Sequence, residues 1–432
     1  MSFSRTCDPL GRALRRTIPG RPFGVRFWDG TTVEATNGAD PSRWREREAG
    51  NGSGRAHIAA MSGSFARAPT FRVKSPAALA HVLRSPSALG LGRAYVDGSL
   101  DVDDIDAAAK VLGEWRPPPL GLSDRARIAA GLVLAALPGG LARRPKLELV
   151  LHGKRHTRAR DRAAVRYHYD AGNDFFGLFL DEAMVYSCAI YSRGAKTLEE
   201  AQRAKLGLVA NKLGLEPGMS VLDVGCGWGA FAIYAAREHG VEVTGLTLSP
   251  AQAELARARV ADAGLTDRVK IMVCDYRDVK AGPFEAISSI GMSEHVGAAQ
   301  IDDYAKSLHR LLRPGGVLLN HAIAAIDDDE DTHGSEFTMR YVFPDGELLP
   351  LSRVQLAFER AGLQTDHVEG FREDYSKTLA EWAKRFDARL GEAERLVGPE
   401  RTRVWRLYLR GARYGFDAGL NAVYQVRARR PG

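Results

Sequence analysis

From Val221 onward, short apolar runs alternate with longer segments in which apolar residues recur every third or fourth position. Candidate strands are Val221 to Val224, Val241 to Thr247, Val269 to Cys274, Phe284 to Ile290, Gly316 to His321 and Gln364 to Gly370, with a last one near Ala422 to Ala428. The periodic segments between them predict helices. This alternation is the signature of an α/β fold built on a doubly wound, Rossmann-like parallel sheet. Ligands of such sheets bind beyond the carboxyl ends of the strands. Gly225 to Gly229, Thr247 to Gln252, Asp275 to Arg277, Gly291 to His295 and His321 to Ile323 all fall there, so one cleft can hold them.

The pattern before Val221 is different. Residues 36–69 are rich in glycine, alanine, serine and arginine and predict a long loop or an irregular hairpin region. Pro76 to Trp115 reads as two helical stretches around a turn, and prolines punctuate the chain from Pro117 to Pro145. The apolar run Ile128 to Leu137 stops at Pro138, too short to cross a bilayer, and reads as a core helix. A chain of 432 residues exceeds what one core usually organises. The expected division is a smaller, mainly helical N-terminal domain at 1–145, a basic linker at 146–165 and a larger domain at 166–432.

Charge narrows the partners without choosing one. The net charge of +7 and the pI near 9.2 favour a polyanion: RNA, DNA or an anionic membrane surface. Basic residues concentrate between Arg143 and Arg166 and again between Arg401 and Arg430, where they interleave with Trp405, Tyr408, Tyr414 and Tyr424. Such a tail could grip nucleic-acid bases, sit among lipid headgroups, or be a solvated helix face. Cys7, Cys188, Cys226 and Cys274 are too scattered for a disulfide framework and contain no CxxC pair, so no metal is expected. The arginines near the start precede no uninterrupted apolar segment, which argues against a secretion signal and for a cytoplasmic protein.

The chemistry begins at VLDVGCGWG, Val221 to Gly229. Glycines at Gly225, Gly227 and Gly229 let the backbone turn tightly and approach a ligand. Their spacing is GxGxG rather than the GxGxxG of dinucleotide sites, and no acidic residue ends the following strand, which disfavours NAD. In its strand–loop–helix setting the segment resembles the first motif of S-adenosylmethionine (SAM)-dependent methyltransferases.

Other candidate residues are individually ordinary. Glu294 directly follows an apolar strand, and His295 beside it could be a base or a packed histidine. His321 reads as a satisfied core residue, Tyr375 as a loop tyrosine, and Cys188 has no thiolate-stabilising neighbour.

Taken together with HYDAGNDFFGLFLDEAMVYSCAIY, TLEEAQRAKL, LDVGCGWG, GLTLSPAQ, SIGMSEHVG, LRPGG, HAIA and DYSKTLAEW, their order resembles the cyclopropane fatty acid synthase family, including the mycolic acid methyltransferases. The resemblance covers roughly residues 165–432. LGLGRAYVDGSLDVDD in the first domain resembles the N-terminal part of the bacterial full-length synthases.

The resemblance implies that a cis double bond in a phospholipid acyl chain attacks the methyl group of SAM, giving a carbocation that loses a proton. It implies a bound bicarbonate ion as the base, held by Cys188 through its backbone, Glu294, His321, Ile323 and Tyr375. For SAM it implies Tyr186, Ser187, Gly225, Gly227, Thr247, Leu248, Gln252, Asp275 and Tyr276, the last two beside the adenine. Tyr169 and Phe175 could offer aromatic faces to the cation. HAIA departs from the family's HTIG, and RAYVDGSLDV looks closer to actinobacterial relatives that methylate oleoyl lipids at carbon 10. Two products therefore stay open, a cyclopropane and a 10-methylene precursor of tuberculostearic acid.

Drawing about nine methylenes from a bilayer into water would cost about 7 kcal/mol. An apolar tunnel is expected, walled by the N-terminal domain and the 324–360 insertion, with Trp115 and Ile128 to Leu137 as candidate lining. Relatives imply a homodimer, peripheral to the inner face of the membrane, with no nucleic acid bound. The competing readings are an RNA or small-molecule methyltransferase and a lipid-binding protein that keeps the fold without catalysis.

Overall fold

The computed structural model describes residues 6–36, 68–140, 143–149, 153, 155–326 and 335–432. The chain forms two compact units, one of Met1–Leu149 with Pro399–Tyr414, the other of Val150–Gly398 with Gly415–Gly432.

Within the first unit, helices α1 (Asp8–Thr17), α2 (Pro76–Arg84), α3 (Ala88–Val96), α4 (Ile105–Glu114) and α5 (Leu122–Ala136) accompany four short strands, β1 (Gly24–Phe27), β2 (Thr32–Val33), β3 (Thr70–Val73) and β4 (Leu100–Val102). The strands pair in the order β2-β1-β3-β4, with β1 and β3 parallel. Helices dominate, as expected, but the sheet is new. Strands this short are too brief for period-two alternation to register. Pro76 to Trp115 holds three helices rather than two, and α4 starts where Asp104 caps the Ala107 amide at 2.9 Å. Residues 37–67, most of the predicted loop or hairpin region, lie outside the described residues. The core gathers Leu10, Phe27, Val33, Val73, Leu79, Leu100 and Ala135. The Arg93 guanidinium forks onto the Glu148 carboxylate with two bonds of 2.6 Å, both groups buried. Trp115 packs edge-on against Phe23, with ring centroids 5.3 Å apart.

Within the second unit all seven predicted strands are present: β5 (Ser220–Val224), β6 (Glu242–Thr247), β7 (Val269–Val273), β8 (Phe284–Ile290), β9 (Leu312–Ala325), β10 (Gln364–Gly370) and β11 (Asn421–Arg429). They form one sheet in the order β10-β11-β9-β8-β5-β6-β7. The sheet is mixed rather than purely parallel, because β11 runs antiparallel to both β9 and β10. The unit's helices are α6 (Arg158–Tyr169), α7 (Asn173–Phe176), α8 (Leu198–Leu213), α9 (Ala230–His239), α10 (Pro250–Asp262), α11 (Ile301–Leu311), α12 (Glu336–Tyr341), α13 (Leu351–Arg360), α14 (Arg372–Ala388) and the two ends of α15 (Leu390–Asp417), whose stretch Pro399–Tyr414 belongs to the first unit. The last breaks at Gly398, before Pro399.

Alternate residues of β5 build opposite cores. Leu222 and Val224 join Tyr304 and Leu308 of α11 and Phe358 of α13, whereas Val221 joins Val209 of α8, Phe231 of α9 and Ala256 of α10. Helix α8 is held at its start by a reciprocal Thr197–Glu200 capping box and stopped by left-handed Gly214.

Candidate functional site

The glycine turn leaves β5 at the centre of the sheet. Gly225 has φ +82°, and a Cβ added there would meet Met292 Cγ at 2.5 Å, so only glycine fits. The turn is pinned to the neighbouring strand by the Gly225 and Cys226 amides, which donate to the Leu246 carbonyl at 3.0 and 2.8 Å. At the end of β6, the Thr247 hydroxyl donates to Gln252 Oε1 at 2.7 Å and accepts the Ser249 amide at 3.1 Å. Beyond β7, Asp275 receives two bonds from Arg277, at 2.8 and 2.6 Å, and Arg277 reaches Asp161 of α6 at 2.9 Å. Burial opposes ionisation of Asp275, but the hydrogen bonds from Arg277 outweigh it and hold the carboxyl below its usual range.

A cavity of about 150 Å³ opens over these strand ends, and Tyr186, Ser187, Gly225, Gly227, Thr247, Leu248, Gln252, Asp275 and Tyr276 all line it. Tyr169, Trp228 and His295 line it too, and Pro344 and Asp345 of the 324–360 insertion complete one wall. That segment is fixed by Arg160 binding Asp345 and by His168, whose Nδ1 lies 2.8 Å from the Val342 carbonyl. Trp228 Nε1 donates to Asn173 Oδ1 at 2.7 Å, bringing the start of α7 to the turn. Phe175 lies elsewhere: it is wholly buried in an aromatic core with Phe176, Phe179 and Phe386, so it offers the cavity no face.

Lys205 escaped the sequence reading. It lines the cavity, is only 1% exposed, and donates to Ser187 Oγ at 2.9 Å. Burial pushes its ammonium down to about 8, opposed by the carboxylates of Asp181 and Asp223. One signal could have found it: Lys205 lies four residues after Ala201 and four before Val209, both buried, on the inner face of α8.

The residues proposed to hold an ion form a second cluster, and none of the five lines the cavity just described. Strand pairing assembles them. His321 lies opposite Ile290 on β8, and the Gly291 amide donates to its carbonyl at 2.8 Å. Ile323, on the same face of β9, donates its amide to Glu294 Oε1 at 2.8 Å. Ile323 also pairs with Val423, whose carbonyl accepts the Phe371 amide, and the Phe371 carbonyl accepts the Tyr375 amide at 3.1 Å. Cys188 Sγ lies 3.8 Å from the same Phe371 carbonyl.

The electrostatics of this cluster are set by burial. It pushes Glu294 up to about 7, drives His321 well below its ordinary value, and raises the Cys188 thiol well above its own. Cys188 is therefore a thiol and no nucleophile, and His321 is neutral. Gln425 Nε2 lies 3.1 Å from His321 Nδ1, and in this amide orientation it donates, leaving the imidazole proton on Nε2. His321 Nε2 and Glu294 Oε2 are buried with no hydrogen-bond partner among the described residues. His295, in the cavity wall, is lowered to about 4 by burial and by nearby His156.

A doubly wound sheet with one antiparallel strand, a glycine turn after its central strand and a cavity over the strand ends define an S-adenosylmethionine-dependent methyltransferase. Residues 156–426 match the family model described as mycolic acid cyclopropane synthetase. The chain is 37% identical over 366 residues to a probable fatty acid methyltransferase of Mycobacterium tuberculosis, covering 82% of this chain and 86% of that one. It is 31% identical over 428 residues to a tuberculostearic acid methyltransferase of the same organism, covering 96% of this chain and 89% of that one. A solved structure of a mycolic acid cyclopropane synthase complexed with SAH and CTAB superposes with a TM-score of 0.59 at 35% identity, covering 62% of this chain and 98% of that one. The chain belongs to the mycolic acid cyclopropane synthetase family.

Proposed function

We propose that the protein methylates the cis double bond of an oleoyl-type phospholipid acyl chain, using SAM as methyl donor and a bound bicarbonate ion as base, to give a 10-methylene or a cyclopropane fatty acid. The observation that carries this reading is that Glu294 Oε2 and His321 Nε2 are both buried with no hydrogen-bond partner among the described residues. One is an acceptor and the other a donor. Bicarbonate presents one hydroxyl and further oxygens, so its chemistry matches that set. Bound there, it would supply a proton acceptor within a region closed to water.

The chain's own residues set the conditions. Glu294, fixed by the Ile323 amide, orients the ion through its free oxygen, and neutral His321 donates to it, with Tyr375 and the Cys188 backbone completing the set. Tyr186, Ser187, Gly225, Gly227, Thr247, Leu248, Gln252, Asp275 and Tyr276 hold SAM. An alkene is a weak nucleophile, so alignment with the methyl group and exclusion of water do most of the catalysis.

In the same reading, residues 1–145 bind lipid, residues 146–165 link them to the catalytic domain at 166–432, and the protein works as a homodimer on the inner face of the membrane. Incubation with SAM and dioleoyl phospholipid, followed by proton NMR of the fatty esters, tests it. Cyclopropyl or vinylidene protons are expected, and each names its product. Methyl transfer from labelled SAM to RNA, with none to vesicles, would overturn it.

A further inference from the structure

Helix α5 is apolar on two sides, and only one of them is packed. Gly131, Ala135 and Ala136 are buried, and Gly131 crosses α1 so closely that a Cβ there would meet Leu10 Cα at 2.9 Å. The opposite side faces outward. Leu122 is 86% exposed, Val133 46% and Leu134 53%, with Ala126 and Ala130 exposed between them, and Leu137 follows at 67% in the next turn. The sequence pattern predicts a core helix here; the structure leaves half of it uncovered among the described residues.

At about 100° per residue, these outward positions fall on one stripe. Arg125 and Arg127, both exposed, stand at its two edges. Arg127 pairs with Asp124 at 2.6 Å, whereas among the described residues the Arg125 side chain bonds only the Leu120 carbonyl, at 3.1 Å. Past the helix, Arg143, Arg144 and Lys146 are exposed as well. From Arg125 to Leu149 the one acidic residue is Glu148, which is buried against Arg93.

An apolar ridge edged by arginines fits one environment above others: the boundary between acyl chains and phosphates of an anionic leaflet. No helix among the described residues is long and apolar enough to cross a membrane, which leaves lying in the surface as the available mode.

We propose that the outward stripe of α5, from Leu122 to Leu137 and edged by Arg125 and Arg127, is the surface by which the first unit docks on an anionic phospholipid leaflet. The inference rests on the phospholipid reading above and names where that substrate's membrane is met.

Co-sedimentation of the full chain with phosphatidylglycerol vesicles tests it. The double variant Val133→Glu with Leu134→Glu should bind at least tenfold more weakly, with its SAH affinity and melting temperature showing that the fold is intact. Wild-type binding should weaken as salt rises. Equal binding by both proteins would overturn the surface and leave the phospholipid reading standing. A wild type that ignores the vesicles would remove both membrane docking and this surface. A dimer that becomes monomeric in the variant, with vesicle binding unchanged, would reassign the stripe to contact between copies. Should the double variant fold poorly, Leu137→Trp provides the same decision: its emission should shift to the blue on the vesicles, and an unshifted spectrum would overturn the proposal.

Discussion

Glu294 accepts the Ile323 amide at 2.8 Å through Oε1 and holds Oε2 buried and, among the described residues, unpaired, so one carboxylate joins the turn after β8 to β9 while keeping an acceptor for something else. Replacing it with glutamine preserves the shape and the Ile323 bond but removes the charge. Glu294→Gln should lower kcat by roughly 100-fold, the lower end of what a positioned acid or base contributes. SAH affinity, measured by calorimetry, should not change. Unchanged turnover would remove Glu294 from the catalytic set.

The same residue gives a pH signature in stability. Its folded value is raised to about 7, above the ordinary 4.5, so its favourable contribution is complete below pH 4.5 and is lost as the pH rises through 7. That span corresponds to about 3 kcal/mol. Relative to Glu294→Gln, the wild type should lose stability progressively between those limits and then level off. Denaturant midpoints for both proteins at several pH values would measure it, and parallel curves would show that the carboxyl is not buried in this way.

How much of the structure is legible in the sequence depends on what a side chain reveals about its own surroundings. Six strands of the large sheet are readable because each is an apolar run bounded by turn residues, whereas β10 is polar and mostly exposed. Of the nine positions expected to hold SAM, seven come together because strand ends converge in such sheets, and Tyr186 and Ser187 reach the same cavity from a loop. The direction of β11 is not readable, since periodicity records burial and not which way a neighbouring strand runs. Phe175 and α5 mislead for complementary reasons. An aromatic residue near a site looks the same whether it faces the cavity or the core, and an apolar helix looks the same whether both its faces are covered or one. Lys205 draws no notice because lysine is almost never fully buried.

Lys205 Nζ lies 2.9 Å from Ser187 Oγ in the cavity wall, and in the reading that places SAM or SAH there its cation would favour their carboxylate. Lys205→Met should weaken SAH binding about tenfold, the scale of one charge-assisted hydrogen bond. Methylthioadenosine lacks that carboxylate and should bind both proteins alike. Because burial lowers Lys205 to about 8, wild-type SAH affinity should fall as the pH rises through that value, and the variant should show no such step. Equal losses for the two ligands would make Lys205 a structural residue.

Gly225 separates backbone strain from crowding. Alanine there must adopt φ +82° and place its Cβ 2.5 Å from Met292 Cγ. The left-handed conformation costs about 1–2 kcal/mol and the overpacking about 1–3 kcal/mol more. Gly225→Ala should therefore unfold at lower denaturant and lose SAH binding. Adding Met292→Ala opens the crowded space, so the double variant should regain the packing part measured against Met292→Ala alone, while the backbone part persists. If the two substitutions prove simply additive, the Met292 side chain is not what confines the turn, and the requirement for glycine lies in the backbone angle alone.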